Sequence, residues 1–124
     1  MARVTLTFGD LRLVVRTLDT PTARALLDCM PFASVARTWG DEVYFDTPAH
    51  AAAEPDARVV LEPGEIAFWL AGDCIAIGFG PTPASHGDEI RLASPGNVWA
   101  LAEGDVAALR AVAGGTPVQV EVSP

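Results

Sequence analysis

The 124 residues include eight arginines, no lysine and 16 acidic side chains, for a net charge of −8. A chain this acidic, with no basic patch, repels phosphate backbones and anionic bilayer surfaces, so nucleic acid and membrane are set aside as partners. Half of the residues are hydrophobic, yet no apolar run approaches the roughly 20 residues needed to span a bilayer, and the length suits one domain, residues 1–124, with a core of its own.

The first elements alternate. Val4, Leu6 and Phe8 share one face of a half-buried strand, Gly9-Asp10 turns, and "LRLVVRT" returns as the second arm of a hairpin. Met1-Ala2-Arg3 leads straight into that strand with no charged and apolar leader, so the chain is read as cytoplasmic. Thr20 and Pro21 start a helix as N-cap and N1, Ala23, Leu26, Leu27 and Met30 recur at helical spacing, and Pro31 stops it. Phe32 to Thr38 reads as a strand, Gly40-Asp41 as a turn, and Glu42 to Asp46 as a strand with Val43 and Phe45 opposite Tyr44.

Residues 47–57 read as a surface loop and Arg58 to Leu61 as a short strand. Pro63-Gly64 fits the centre of a type II turn. "EIAFWL" and "DCIAIGF" form two strong strands, followed by the loop "GPTPAS". "EIRLA" and "NVWALA" read as two further strands. Asp105 caps a short helix that ends at Gly114-Gly115, and "TPVQVEV" closes the chain as a strand. Eight to ten short strands with two short helices predict a mainly β fold, a barrel with helical plugs.

The loop after "DCIAIGF" is the most distinctive stretch. Pro81 and Pro83 cannot donate to a ladder, and Thr82 and Ser85 can hydrogen-bond the backbone, so a barrel strand leaves its sheet here through a stiff rim. Such a rim either ends a strand or edges a binding site, because little entropy is lost when a stiff loop binds. Cys29 and Cys74 match no metal spacing and read as buried thiols. His50 and His86 lack ligand partners, Asp41-Glu42 and Asp88-Glu89 read as solvated turns, and no glycine-rich loop opens a helix, so neither metal nor cofactor is expected.

Two strings, Thr38-Trp39-Gly40-Asp41-Glu42-Val43-Tyr44-Phe45 and Phe79-Gly80-Pro81-Thr82-Pro83-Ala84-Ser85, resemble those of the small prokaryotic cyclophilin-like proteins, and the resemblance covers nearly the whole chain. It implies a closed eight-stranded antiparallel barrel with a helix at each end. This sequence departs at Trp69-Leu70-Ala71-Gly72, where relatives tend to carry Trp-Pro-Pro-Gly, and at Asn97-Val98-Trp99-Ala100, where they tend to carry Asn-Val-Ile-Gly. It also lacks the Phe-His-Arg and Gln-Gly-Gly-Asp strings of the isomerase cyclophilins.

The expected activity is binding of a small molecule or short peptide in a rim groove without strong catalysis. Trp39, Tyr44, Trp69 and Phe79 are the candidate apolar wall, and Thr82, Ser85 and Asn97 the convergent polar groups. A weak peptidyl-prolyl isomerase is the alternative. It needs a cation to disrupt amide resonance across a barrier of about 18–20 kcal/mol, and Arg37 is its candidate catalytic residue. A third reading is an accessory subunit of a small-molecule amide hydrolase, as the resemblance allows. That reading expects a large apolar surface patch, for which Trp99 is one candidate member, and self-association into a homo-oligomer stays open.

Overall fold

Alternation of apolar and polar residues builds most of the molecule, whose computed structural model describes residues 1–124. The strands are β1 (Arg3–Phe8), β2 (Leu11–Thr17), β3 (Phe32–Val35), β4 (Arg37–Thr38), β5 (Glu42–Asp46), β6 (Arg58–Leu61), β7 (Glu65–Trp69), β8 (Cys74–Gly78), β9 (Ile90–Ala102) and β10 (Pro117–Val122). They pair antiparallel in the order β3-β10-β1-β2-β9-β7-β8-β5-β4, with β6 added against β9. Nine strands thus follow one path, and its two ends, β3 and β4, are separated in the chain only by Ala36. Counted as one bent strand, the predicted Phe32–Thr38, they complete a nearly closed barrel of eight. Ala36 accounts for the break, because its backbone bonds sideways to Thr116 and Gly115 instead of continuing either ladder.

The barrel is plugged at opposite ends. Helix α1 (Pro21–Cys29) has Thr20 as N-cap, its Oγ1 accepting from Ala23 N at 3.1 Å, and buries Ala23 and Leu26. At the other end a 3₁₀ turn, Val106–Ala111, is capped by Asp105 and buries Val106 and Leu109. No helix is long and apolar enough to cross a membrane.

Two readings of the sequence are corrected in β9. "EIRLA" and "NVWALA" are one strand of 13 residues. Pro95 is tolerated within it because the ladder to β6 is irregular there, the register shifting between Arg58 and Val60 opposite Gly96 and Arg91. Further along, Ile66 pairs with Ala100 but Ala67 with Val98, so Trp99 is the extra residue of a β-bulge. The bulge turns the Trp99 ring into the barrel, where it is 0% exposed. Trp99 therefore belongs to the core and forms no surface patch. The exposed large apolar side chains are Met1, Val35 and Val122 instead.

Candidate functional site

Strands of a barrel have two faces, and here both are used. Val43 and Phe45 of β5, Ile75 and Ile77 of β8, and Ile66 and Phe68 of β7 fill the interior. The intervening residues Tyr44, Ala76, Ala67 and Trp69 point outward. The first half of β9 and strand β6 fold over this outer face, so that Leu61, Ile90, Leu92 and Val98 make a second, smaller core against Ala67 and Ala76.

That cover is incomplete, and a cleft of about 240 Å³ remains, lined by Trp39, Glu42, Tyr44, Trp69, Ala76, Leu92 and Ala93. Ala76 lies directly across the ladder from Tyr44, and its methyl group leaves room that a larger side chain would fill. Trp69 is held on two sides. Its Nε1–H donates to Ser94 Oγ at 2.7 Å, and a Cβ at Gly72 would overlap its ring. Trp39 is fixed through its backbone, its N–H donating to Glu42 O at 3.0 Å.

Glu42 is the polar member of the wall. It is 6% exposed, and its Oε1 has no hydrogen-bonding partner. Burial pushes its carboxyl up from the ordinary 4.5 to about 7, so near neutrality it exchanges a proton with little driving force either way. The sequence reading had it in a solvated turn, and the structure corrects this. Only Asp41 of the pair is engaged outward, accepting from Arg110 Nη1 at 3.0 Å and Nη2 at 3.3 Å.

The predicted site residues divide. Trp39, Tyr44 and Trp69 meet in the cleft. Phe79 does not line it; its ring carries the Arg110 guanidinium at 4.9 Å. Thr82 and Ser85 do not converge on it either. Thr82 Oγ1 donates to Arg91 O at 2.6 Å, and Ser85 Oγ donates to Glu89 O at 2.6 Å. Their hydroxyls thus tie the proline loop to itself and to β9. The loop is also zipped to the Gly40-Asp41 turn, Asp41 N–H donating to Pro81 O and Phe79 N–H to Asp41 O. Gly40, at φ +59°, has no room for a side chain, since its Cβ would stand 2.9 Å from Pro83 Cδ. The stiff rim therefore braces the turn that carries Trp39 and Glu42.

Asn97 is wholly buried away from the cleft. Its Oδ1 accepts from Glu54 N at 3.0 Å, and its Nδ2 donates to Thr22 Oγ1 and Ala52 O, each at 2.9 Å. It pins α1 and the 47–57 loop to β9. Asn97→Ala should therefore cost about 2 kcal/mol or more, because Glu54 N–H and Ala52 C=O lose their partner. Chemical denaturation checks this, and a neutral effect would show that water replaces the amide.

Arg37 pairs with Asp46, and its guanidinium lies 4.8 Å from the Tyr44 ring centroid. Its side chain is 49% exposed, and no arginine lines the cleft. Cys74 is buried, its thiol pushed up to about 12 by burial and by the Asp46 carboxylate that it bonds at 3.2 Å. Cys29 is half-buried rather than buried, and both cysteines are free. His50 bonds Asp73, and no group of three or more His, Cys, Asp or Glu side chains gathers to hold an ion.

Comparison with known proteins agrees with this architecture. A family model described as Cyclophilin-like matches residues 2–121. The solution structure of the hypothetical protein AF2241 from Archaeoglobus fulgidus superposes with a TM-score of 0.85 at 36% identity, over 98% of this chain and 95% of that one. McbB, solved in complex with tryptophan, superposes with a TM-score of 0.65 at 15% identity, over 95% of this chain but 44% of McbB, a likeness of fold. No curated protein matches.

Proposed function

The chain belongs to the cyclophilin-like family, and from that premise we propose that it is a binding barrel whose outer-face cleft takes a small molecule or a short peptide side chain. The observation that carries this is the cleft itself. Two indoles, a phenol and three aliphatic side chains surround one unpartnered carboxyl. An apolar wall with one placed polar group is the common composition of a ligand pocket. Its volume lies below the 300–1,000 Å³ or so of drug-sized sites, which favours a small ligand. McbB, of the same fold, was solved with tryptophan, a molecule of suitable size and character to try first.

The isomerase reading has less support, because it needs an arginine facing an apolar pocket, and Arg37 is stacked on Tyr44 and paired with Asp46. The subunit reading has less support as well, because Trp99, its one named candidate for a surface patch, is inside the barrel.

The test is a titration followed through the three indole N–H resonances. Tryptophan, small aromatic acids and amines, and Ala-Pro peptides serve as probes. A ligand of the cleft should shift Trp39 and Trp69 and leave Trp99 still. Trp69→Ala should weaken its binding by roughly tenfold or more, as for a buried aromatic anchor. Unmoved Trp39 and Trp69 signals at millimolar concentrations of every probe would sink the proposal.

A further inference from the structure

The chemistry of the cleft wall also bears on the class of ligand, an inference that rests on the cleft being a binding site. Three aromatic side chains, Trp39, Tyr44 and Trp69, stand around it, and Glu42 is the only charged residue in its lining. Aromatic faces carry a negative quadrupole and attract cations, most strongly where water is excluded. A carboxylate beside them adds to the same field. The wall offers no counterbalancing positive charge, because the nearby arginines are engaged elsewhere. Arg37 is paired with Asp46, Arg91 with Glu89 and Arg110 with Asp41. The Tyr44 ring is already met by the Arg37 guanidinium, so Trp39 and Trp69 are the cleft rings that carry no cation. A net charge of −8 attracts cationic ligands from solution.

We propose that the cleft binds a small organic ammonium ion, its charged head between the Glu42 carboxylate and the rings of Trp39 and Trp69, its apolar body against Ala76, Leu92 and Ala93. A neutral hydrogen-bond donor would partner the Glu42 carboxyl but would leave the rings of Trp39 and Trp69 without a charge to meet. An anion would be repelled by Glu42 and by the rings.

The proposal carries a pH signature. An ammonium head favours the ionised carboxylate, so affinity should rise with pH across the neutral range and level off once Glu42 is ionised. The other ionisable groups on the surrounding elements are Asp41, Tyr44, Arg37, Asp46, Cys74, Arg91, Glu89 and Arg110, with the paired Arg58 and Glu65 on β6 and β7. Of these, Cys74 is displaced to about 12 and Glu89 to about 2, both far from neutrality.

The experiment compares 2-phenylethylamine with 2-phenylethanol, the same body with a charged and a neutral head, by calorimetric and NMR titration at pH 6 and pH 8. The proposal expects the amine to bind at least about tenfold tighter than the alcohol at pH 8. It also expects Glu42→Gln to remove that preference and its pH dependence. A native circular dichroism spectrum would show that the variant is folded. If amine and alcohol bind alike at the cleft, the cation proposal is overturned and the binding site stands. Failure of both to shift Trp39 and Trp69 would overturn the proposal and count against the site as well. An amine preference that survives in Glu42→Gln would place the cation away from Glu42 and equally overturn it.

Discussion

Truncating Trp99 to alanine should lower the unfolding free energy by about 3–5 kcal/mol, at the upper end of single core substitutions. The ring is the largest fully buried side chain, and the bulge at Val98-Trp99-Ala100 leaves it no route outward. Its removal would open a void between β9 and the interior faces of its neighbours that the closed sheet cannot collapse to fill. Trp99→Phe should cost distinctly less, since the indole Nε1–H has no partner in the core and its loss forfeits no hydrogen bond. Urea denaturation of the two variants measures both. A loss below about 1 kcal/mol for Trp99→Ala would mean that the ring lies at the surface after all.

The second large effect concerns Glu42 and depends on pH. In the folded protein its carboxyl holds a proton up to about pH 7, whereas the ordinary value is 4.5. Between those limits the folded state binds more protons than the unfolded state, so this residue makes the protein less stable as pH rises from 4.5 to 7, and its effect is level above 7. The displacement corresponds to about 3 kcal/mol. Glutamine cannot ionise. The stability of Glu42→Gln relative to the parent should therefore improve by about 3 kcal/mol between pH 4 and pH 8, whatever its offset at pH 4. Comparing the two proteins cancels the background from the other carboxylates. A difference that stays constant with pH would place Glu42 in water and remove the main electrostatic feature of the cleft.

The sequence displayed the barrel well because its information is local. Alternation in β1, β2, β5 and β10, the Thr20-Pro21 start of α1 and the Asp105 cap all appear within a few residues of one another. Aromatic candidates for the cleft were legible too, because Trp39, Tyr44 and Trp69 are bulky side chains at strand ends or on outward positions. What could not be read was set by partners distant in the chain. Glu42 is buried although it follows a turn, in a cleft whose opposite wall comes from Leu92 and Ala93 of β9. A hydroxyl such as that of Thr82 or Ser85 serves a ligand or a neighbouring carbonyl equally well, and only the fold shows that Arg91 O and Glu89 O are the acceptors. Trp99 was misplaced because a bulge shifts the alternation by one residue, and a single strand read in isolation does not reveal the partner ladder that defines it.

Core and cleft residues alternate along the same short strands, so neighbouring positions in the sequence face opposite sides of the sheet. On β5, Val43 and Phe45 lie in the interior while Glu42 and Tyr44 face the cleft; on β8, Ile75 and Ile77 flank Ala76. A library that randomises only Glu42, Tyr44 and Trp69 would leave every one of those interior side chains unchanged, whereas Ala76 and Leu92 also pack the smaller outer core and would have to be kept. Changing every second codon of β5 thus rewrites the cleft wall while the barrel interior keeps its side chains.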